Sequence, residues 1–97
     1  MTERRAAVIG QGPAGSAIAA VLAQGGVQVT LTGASGPVPP GCALVIEAVP
    51  GNLGEKGALL RRLGGLTGEE TLLASTAGAL SIAGLGAASG HAGRVLG

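Results

Sequence analysis

No phenylalanine, tyrosine or tryptophan occurs among the 97 residues, and no aspartate either. Without aromatic anchors, any core must be assembled from Val, Leu, Ile and Ala. Glycine is abundant instead, at 20 positions, and each ordered glycine costs about 0.5–1 kcal/mol against alanine in a helix or strand. A chain this short buries only about 60–65% of its unfolded surface. Together these predict a fold of thin stability, or one completed by a partner or by further chain.

Charge is scarce as well. Charged residues make up 11% of the sequence and the formal net charge is +1, which gives no electrostatic case for nucleic acid or an anionic membrane. Arg4-Arg5 and Arg61-Arg62 read as solvated basic flanks. The single cysteine, Cys42, excludes an internal disulfide and fits a reducing compartment. The apolar stretch after Arg4-Arg5 is interrupted by a Gly-Pro loop, unlike a signal peptide. No apolar run reaches the roughly 20 residues that span a bilayer. A cytoplasmic protein is the expectation.

What is present is a glycine loop. Ala7-Val8-Ile9 runs into Gly10-Gln11-Gly12-Pro13-Ala14-Gly15, and an alanine-rich helical pattern follows. This is G-x-G-x-x-G between a strand and a helix, the context that the dinucleotide fingerprint requires. Gly10 suits the tight turn, Gly12 the approach of a pyrophosphate to the backbone, and Gly15 the close packing of helix on strand. The diphosphate would lie on the free N–H groups and positive dipole end of the helix. The alternative is a β–α turn kept for packing alone.

The remaining chain alternates strand and helix. The pattern predicts a strand over Ala6–Ile9, a helix over Ala14–Gln24 ended by Gly25-Gly26, and a strand over Val27–Thr32. Gly33–Gly41 holds three of the five prolines and can only be loop. Cys42–Val49 is a continuous apolar run suited to a buried parallel strand. Leu53–Leu63 reads as a helix with Leu59, Leu60 and Leu63 inward and Glu55, Lys56, Arg61 and Arg62 outward, broken by Gly64-Gly65. A strand over Thr71–Ser75, a helix over Leu80–Ala88 and a strand opening at Arg94–Leu96 complete the series. Such alternation indicates an α/β fold: a Rossmann-like, doubly wound parallel sheet. It is shortened, with the third strand and its flanking helices replaced by the Pro/Gly loop. Residues 1–97 form one truncated dinucleotide-binding domain in this reading.

Three blocks carry a family resemblance: Val8–Thr32; Leu44–Leu63 with Leu-Val-Ile-Glu-Ala-Val-Pro; and Leu72–Gly97 with Leu72-Leu73-Ala74-Ser75, Leu80-Ser81-Ile82 and Arg94-Val95-Leu96-Gly97. The sequence resembles the NAD-binding domain of 3-hydroxyacyl-CoA dehydrogenases. The resemblance implies NAD as cofactor, held by Gly10, Gln11, Gly12, Pro13, Ala14, Gly15, Thr32, Glu47, Ala48, Val49, Lys56 and Ser75. Glu47 is a lone carboxylate in an apolar strand, at the cofactor side of the sheet or at a solvated strand end. Lys56 matches a family lysine near the cofactor, although a solvated helical lysine is the plainer reading.

The departures matter as much. Gly33 stands where the family carries an acidic residue for the adenosine ribose, and no Arg or Lys lies near it in sequence, so a switch to the phosphorylated ribose of NADP is not expected. Losing that carboxylate removes charge-assisted bonds of about 1.5–3 kcal/mol each, roughly tenfold or more in affinity per bond. Gly78 stands at the family's substrate-contacting serine and Thr76 at its asparagine. In register, the family's general-base histidine and its orienting glutamate fall just after Gly97. His91 lies several residues before that point and reads as a solvated loop histidine. Cys42 reads as a small packing residue, since no activating base accompanies it. No catalytic or metal-ligating set is assigned, so whether the chain is an enzyme is left open.

The expected activity is therefore a cofactor platform, incompetent alone, that meets a 3-hydroxyacyl-CoA only if a complementary domain is supplied. Two alternatives stay open. Gly-Pro-Ala-Gly also looks like the FAD-binding start of flavin monooxygenases and reductases. A non-enzymatic α/β interaction module, pairing into a homo-oligomer through an open sheet edge, is the other.

Overall fold

The computed structural model describes residues 4–76 and 95–96. Seven elements follow one another: β1 (Arg5–Ile9), α1 (Pro13–Gln24), β2 (Gln28–Thr32), β3 (Leu44–Glu47), α2 (Leu53–Leu66), β4 (Leu72–Ser75) and β5 (Val95–Leu96). The strands form one sheet in the order β2-β1-β3-β4-β5, and every pairing is parallel. This is the dinucleotide-binding order with its outermost strand missing. The chain reverses direction across the sheet between β1 and β3, so the crevice beyond their carboxyl ends is the switch point where such sheets bind ligands.

The alternation of side chains along β1 explains its apolar run. Ala7 and Ile9 join the cluster of Cys42, Val45, Leu60, Leu63 and Leu73 under α2. Ala6 and Val8 are buried on the other face, where Val8 lies beneath Gly15 of α1. A strand covered on both sides reads as continuously hydrophobic. Cys42 belongs to the core, and burial pushes its thiol up, opposed by the Arg5 charge. That keeps the sulfur protonated and makes it a packing group.

The helix ends obey local rules. Gly26 has φ +86, its N–H donates to the Ala23 carbonyl, and the Val27 N–H donates to the Leu22 carbonyl. This is a Schellman stop, which requires the left-handed conformation that glycine adopts freely. At α2, the Asn52 side chain accepts from the Glu55 N–H at 2.8 Å, an N-cap that satisfies an orphan donor.

Several predicted boundaries shift. β3 is shorter than the expected Cys42–Val49, running over Leu44–Glu47, and beyond it the Val49 N–H turns to the Glu47 carboxylate. α2 does not stop at Gly64-Gly65 but runs through to Leu66. Gly64 is buried, and the Thr67 hydroxyl donates to the Leu63 carbonyl at 2.9 Å; packing and this terminal bond outweigh the cost of two helical glycines. The helix predicted at Leu80–Ala88 lies outside the described residues.

The loop over residues 33–41 makes the crossover that a helix and strand make in a full-length fold. It drapes Val38 onto the α2-side core and is tied by Arg62, whose Nη2 donates to the Ala34 carbonyl. Arg62 is therefore not the solvated flank expected of it.

Core and surface aliphatic residues should respond differently. Leu60→Ala, at a fully buried site, is expected to cost about 2–5 kcal/mol, enough to unfold much of the population. Val21→Ala, 68% exposed, should change stability by about 0.5 kcal/mol or less. Urea denaturation followed by circular dichroism measures both.

Candidate cofactor site

The β1–α1 turn is built from three glycines with three different constraints. Gly10 has φ +127, and a Cβ there would lie 2.7 Å from the Ala48 carbonyl oxygen. A Cβ at Gly15 would fall 1.7 Å from the Gly10 carbonyl oxygen. At Gly12 a Cβ would meet nothing within 4 Å. The first two glycines are demanded by the fold. The third leaves open a space that the protein itself does not use.

Gly12 is the N-cap of α1 and provides no side-chain cap. The first intrahelical bond is from the Ser16 N–H to the Gly12 carbonyl, 3.0 Å. Pro13 has no N–H, and among the described residues nothing accepts from the N–H groups of Gly12, Ala14 and Gly15. Exposed donors at the positive end of a helix dipole form an anion site. The turn is anchored from both sides, by the Gly10 N–H donating to the Thr32 carbonyl at 2.7 Å and the Ala48 N–H donating to the Ile9 carbonyl at 2.8 Å.

Beside this turn sits a buried ionic cluster. Glu47 is 0% exposed. Its Oε1 accepts from Lys56 Nζ at 2.6 Å and from the Val49 N–H at 2.8 Å, and its Oε2 accepts from Ser75 Oγ at 2.5 Å. Lys56 Nζ also donates to the Val49 carbonyl at 2.7 Å, with its side chain only 14% exposed. The expectation of an outward, solvated Lys56 is thus overturned. Lys56 lies four residues before Leu60 and seven before Leu63, on the stripe that faces the sheet. A buried carboxylate on β3 draws the ammonium inward, because either charge alone would be costly there.

A cavity of about 190 Å³ opens next to the cluster, lined by Ala34, Val49, Pro50, Glu55, Lys56 and Leu59. A larger depression, about 660 Å³, is lined by Gly41–Ala43 and Gly68–Thr71. It lies at the amino ends of β3 and β4, the wrong edge of a doubly wound sheet for a ligand. The smaller cavity lies at the carboxyl end of β3, beside Lys56 of the ionic cluster.

The structure brings the twelve expected residues to one edge. Gly10, Gln11, Gly12, Pro13, Ala14 and Gly15 form the turn, Thr32 anchors it, Ala48 and Val49 lie beneath it, and Glu47, Lys56 and Ser75 form the adjoining cluster. Thr76 follows, its N–H donating to the Glu47 carbonyl at 3.0 Å. Gly33 follows β2 beside Gln11, whose Oε1 would be 3.7 Å from a Cβ at Gly33. Sequence alone missed Arg62, which reaches this corner from α2; separated by 28 residues from its partner, it leaves no local signal. Gly78 and His91 lie outside the described residues.

Residues 38–97 match the family model described as 3-hydroxyacyl-CoA dehydrogenase, NAD binding domain. The chain belongs to this family. The match spans well over half of the chain and begins after the glycine loop. Solved structures extend the likeness to that loop. A 5-formyl-3-hydroxy-2-methylpyridine 4-carboxylic acid 5-dehydrogenase, an NAD+-dependent dismutase, superposes with a TM-score of 0.82 at 27% identity over 97% of this chain. The 3-hydroxybutyryl-CoA dehydrogenase of Escherichia coli K12 gives a TM-score of 0.83 at 26% identity over 98% of this chain. The chain spans 43% and 29% of the length of those two proteins. A search of curated protein sequences finds no match. The domain is an NAD-binding domain resembling that of 3-hydroxyacyl-CoA dehydrogenases, and the open Gly12 cradle fits the dinucleotide.

Two glycine variants separate fold from binding. Gly12→Ala should cost stability only about 1 kcal/mol or less, the value of an exposed N-cap, yet weaken NADH binding at least tenfold by filling the cradle. Gly15→Ala should destabilise the fold itself. Thermal melting and calorimetric titration of each variant distinguish the two effects. The ion pair gives a second check. Lys56→Met strands a buried carboxylate and should cost about 3–5 kcal/mol, whereas Glu47→Leu combined with Lys56→Met should recover much of that loss. Urea denaturation of the single and double variants measures it.

Proposed function

We propose that this chain is the cofactor platform of a 3-hydroxyacyl-CoA dehydrogenase, working in cytoplasmic acyl-CoA metabolism with substrate supplied by a complementary domain. The observation that carries the proposal is the Gly12 cradle, open where a side chain would stand and faced by helix N–H groups that have no acceptor among the described residues. Gly10, Gln11, Gly12, Pro13, Ala14 and Gly15 would hold the pyrophosphate, with Thr32 fixing the turn. Ala48 and Val49 would support the nucleotide from below, and Lys56, Glu47 and Ser75 would hold that segment in place. The nicotinamide supplies hydride transfer at the carbon bearing the 3-hydroxyl.

The chain's own residues bind and orient. Glu47 and Lys56 are engaged with each other and serve to hold the segment that carries Ala48 and Val49. Gly78 stands where the family resemblance places the substrate-contacting serine. A location in the cytoplasm is supported by the unpaired, buried Cys42. No helix among the described residues is long and apolar enough to cross a membrane.

Calorimetric titration of the purified chain with NADH and FAD, alongside a spectrophotometric assay with 3-hydroxybutyryl-CoA and NAD, tests the proposal. NADH should bind, FAD should not, and no turnover should be seen. Turnover by the pure chain, or preferential binding of FAD, contradicts it.

A further inference from the structure

The end of β2 differs from what an NAD-selective site needs, and the difference has a direction. NAD-selective sites place a carboxylate there to bond the ribose 2′-hydroxyl, and that carboxylate repels a 2′-phosphate. Here the position is Gly33, and the whole chain has no aspartate. The next residue, Ala34, lines the cavity beside Val49 and Lys56, and its carbonyl accepts from Arg62 Nη2. A guanidinium therefore stands against the residue that follows Gly33. Arg62 is half-buried, and among the described residues this single bond to a neutral carbonyl is its only partner. A guanidinium has five N–H donors in a planar fork suited to phosphate. It can keep its bond to the loop and still present donors outward.

We propose that Arg62 reads a 2′-phosphate on the adenosine ribose, so that the site accepts NADP(H) at least as well as NAD(H). This rests on the reading that the carboxyl edge of the sheet binds a dinucleotide. Glu55 also lines the cavity, with its Oε2 beside Gly51, 2.6 Å from where a Cβ there would stand. The loop that replaces the third strand is what makes this possible. Its turn, closed by the Gly36 N–H donating to the Gly33 carbonyl at 2.9 Å, brings Ala34 within reach of α2.

Titration of the full chain with NADH and NADPH by calorimetry, at low and moderate salt, tests the inference. NADPH should bind at least as tightly as NADH, with the steeper salt dependence expected of the extra phosphate. Arg62→Ala should weaken NADPH about tenfold or more, the scale of a charge-assisted bond, and leave NADH within about twofold. Gly33→Asp, which leaves Arg62 in place, should reverse the preference and guards against a loosened loop in Arg62→Ala. NADH binding with NADPH tenfold weaker overturns the inference and leaves the dinucleotide reading intact. An equal loss of both ligands in Arg62→Ala also overturns it, since Arg62 then only tethers the loop. Binding of neither ligand overturns the dinucleotide reading, and this inference with it.

Discussion

The carboxylate of Glu47 is the group on which the carboxyl edge of this sheet depends. A fully buried carboxylate is tolerated only if its charge and lone pairs are satisfied. Here Lys56, the Val49 N–H and Ser75 do so, from α2, the β3–α2 connection and β4. The same ammonium grips the Val49 carbonyl. One ionic knot thus fixes the position of Ala48 and Val49, and the tight Gly10 turn rests directly on Ala48. The geometry of the phosphate cradle is inherited from a polar contact that does not itself belong to the cradle.

The missing aromatics shape everything around that knot. The α2 side of the sheet is closed by leucines, valine and the draped loop. The α1 side is thinner, with Leu31, Leu72 and Val21 exposed at 36%, 44% and 68%. Small aliphatic side chains bury little area each, so a core this size leaves little surplus stability. Close backbone contact partly substitutes for side-chain volume, as Gly15 shows by letting α1 sit against Gly10 and Val8. In such a protein the glycines are structural material as well as hinges.

Much of the fold was legible because it is written in local patterns. The β1–α1–β2 unit follows from an apolar run, a glycine loop and alternating β-branched residues, and the shortened sheet follows from a proline-rich loop where a strand should be. The misreadings share a cause. Continuing α2 across Gly64-Gly65 depends on what those glycines pack against. Turning Lys56 inward depends on a carboxylate nine residues away on another element, although its spacing to Leu60 and Leu63 already hinted at the buried stripe. Bringing Arg62 to Ala34 depends on the path of a loop that no periodicity describes. Where tertiary contact decides, sequence patterns run out.

The central claim is that a dinucleotide lies on the carboxyl edge of the sheet, in the cradle opened by Gly12. Backbone amide NMR of the labelled chain during titration with NADH tests it most directly. The account predicts shifts concentrated at Gly10–Gly15, Ala48-Val49 and Gly33-Ala34, saturating together. Shifts confined to Gly41–Ala43 and Gly68–Thr71 at the opposite edge, or no shifts at saturating NADH, would contradict it.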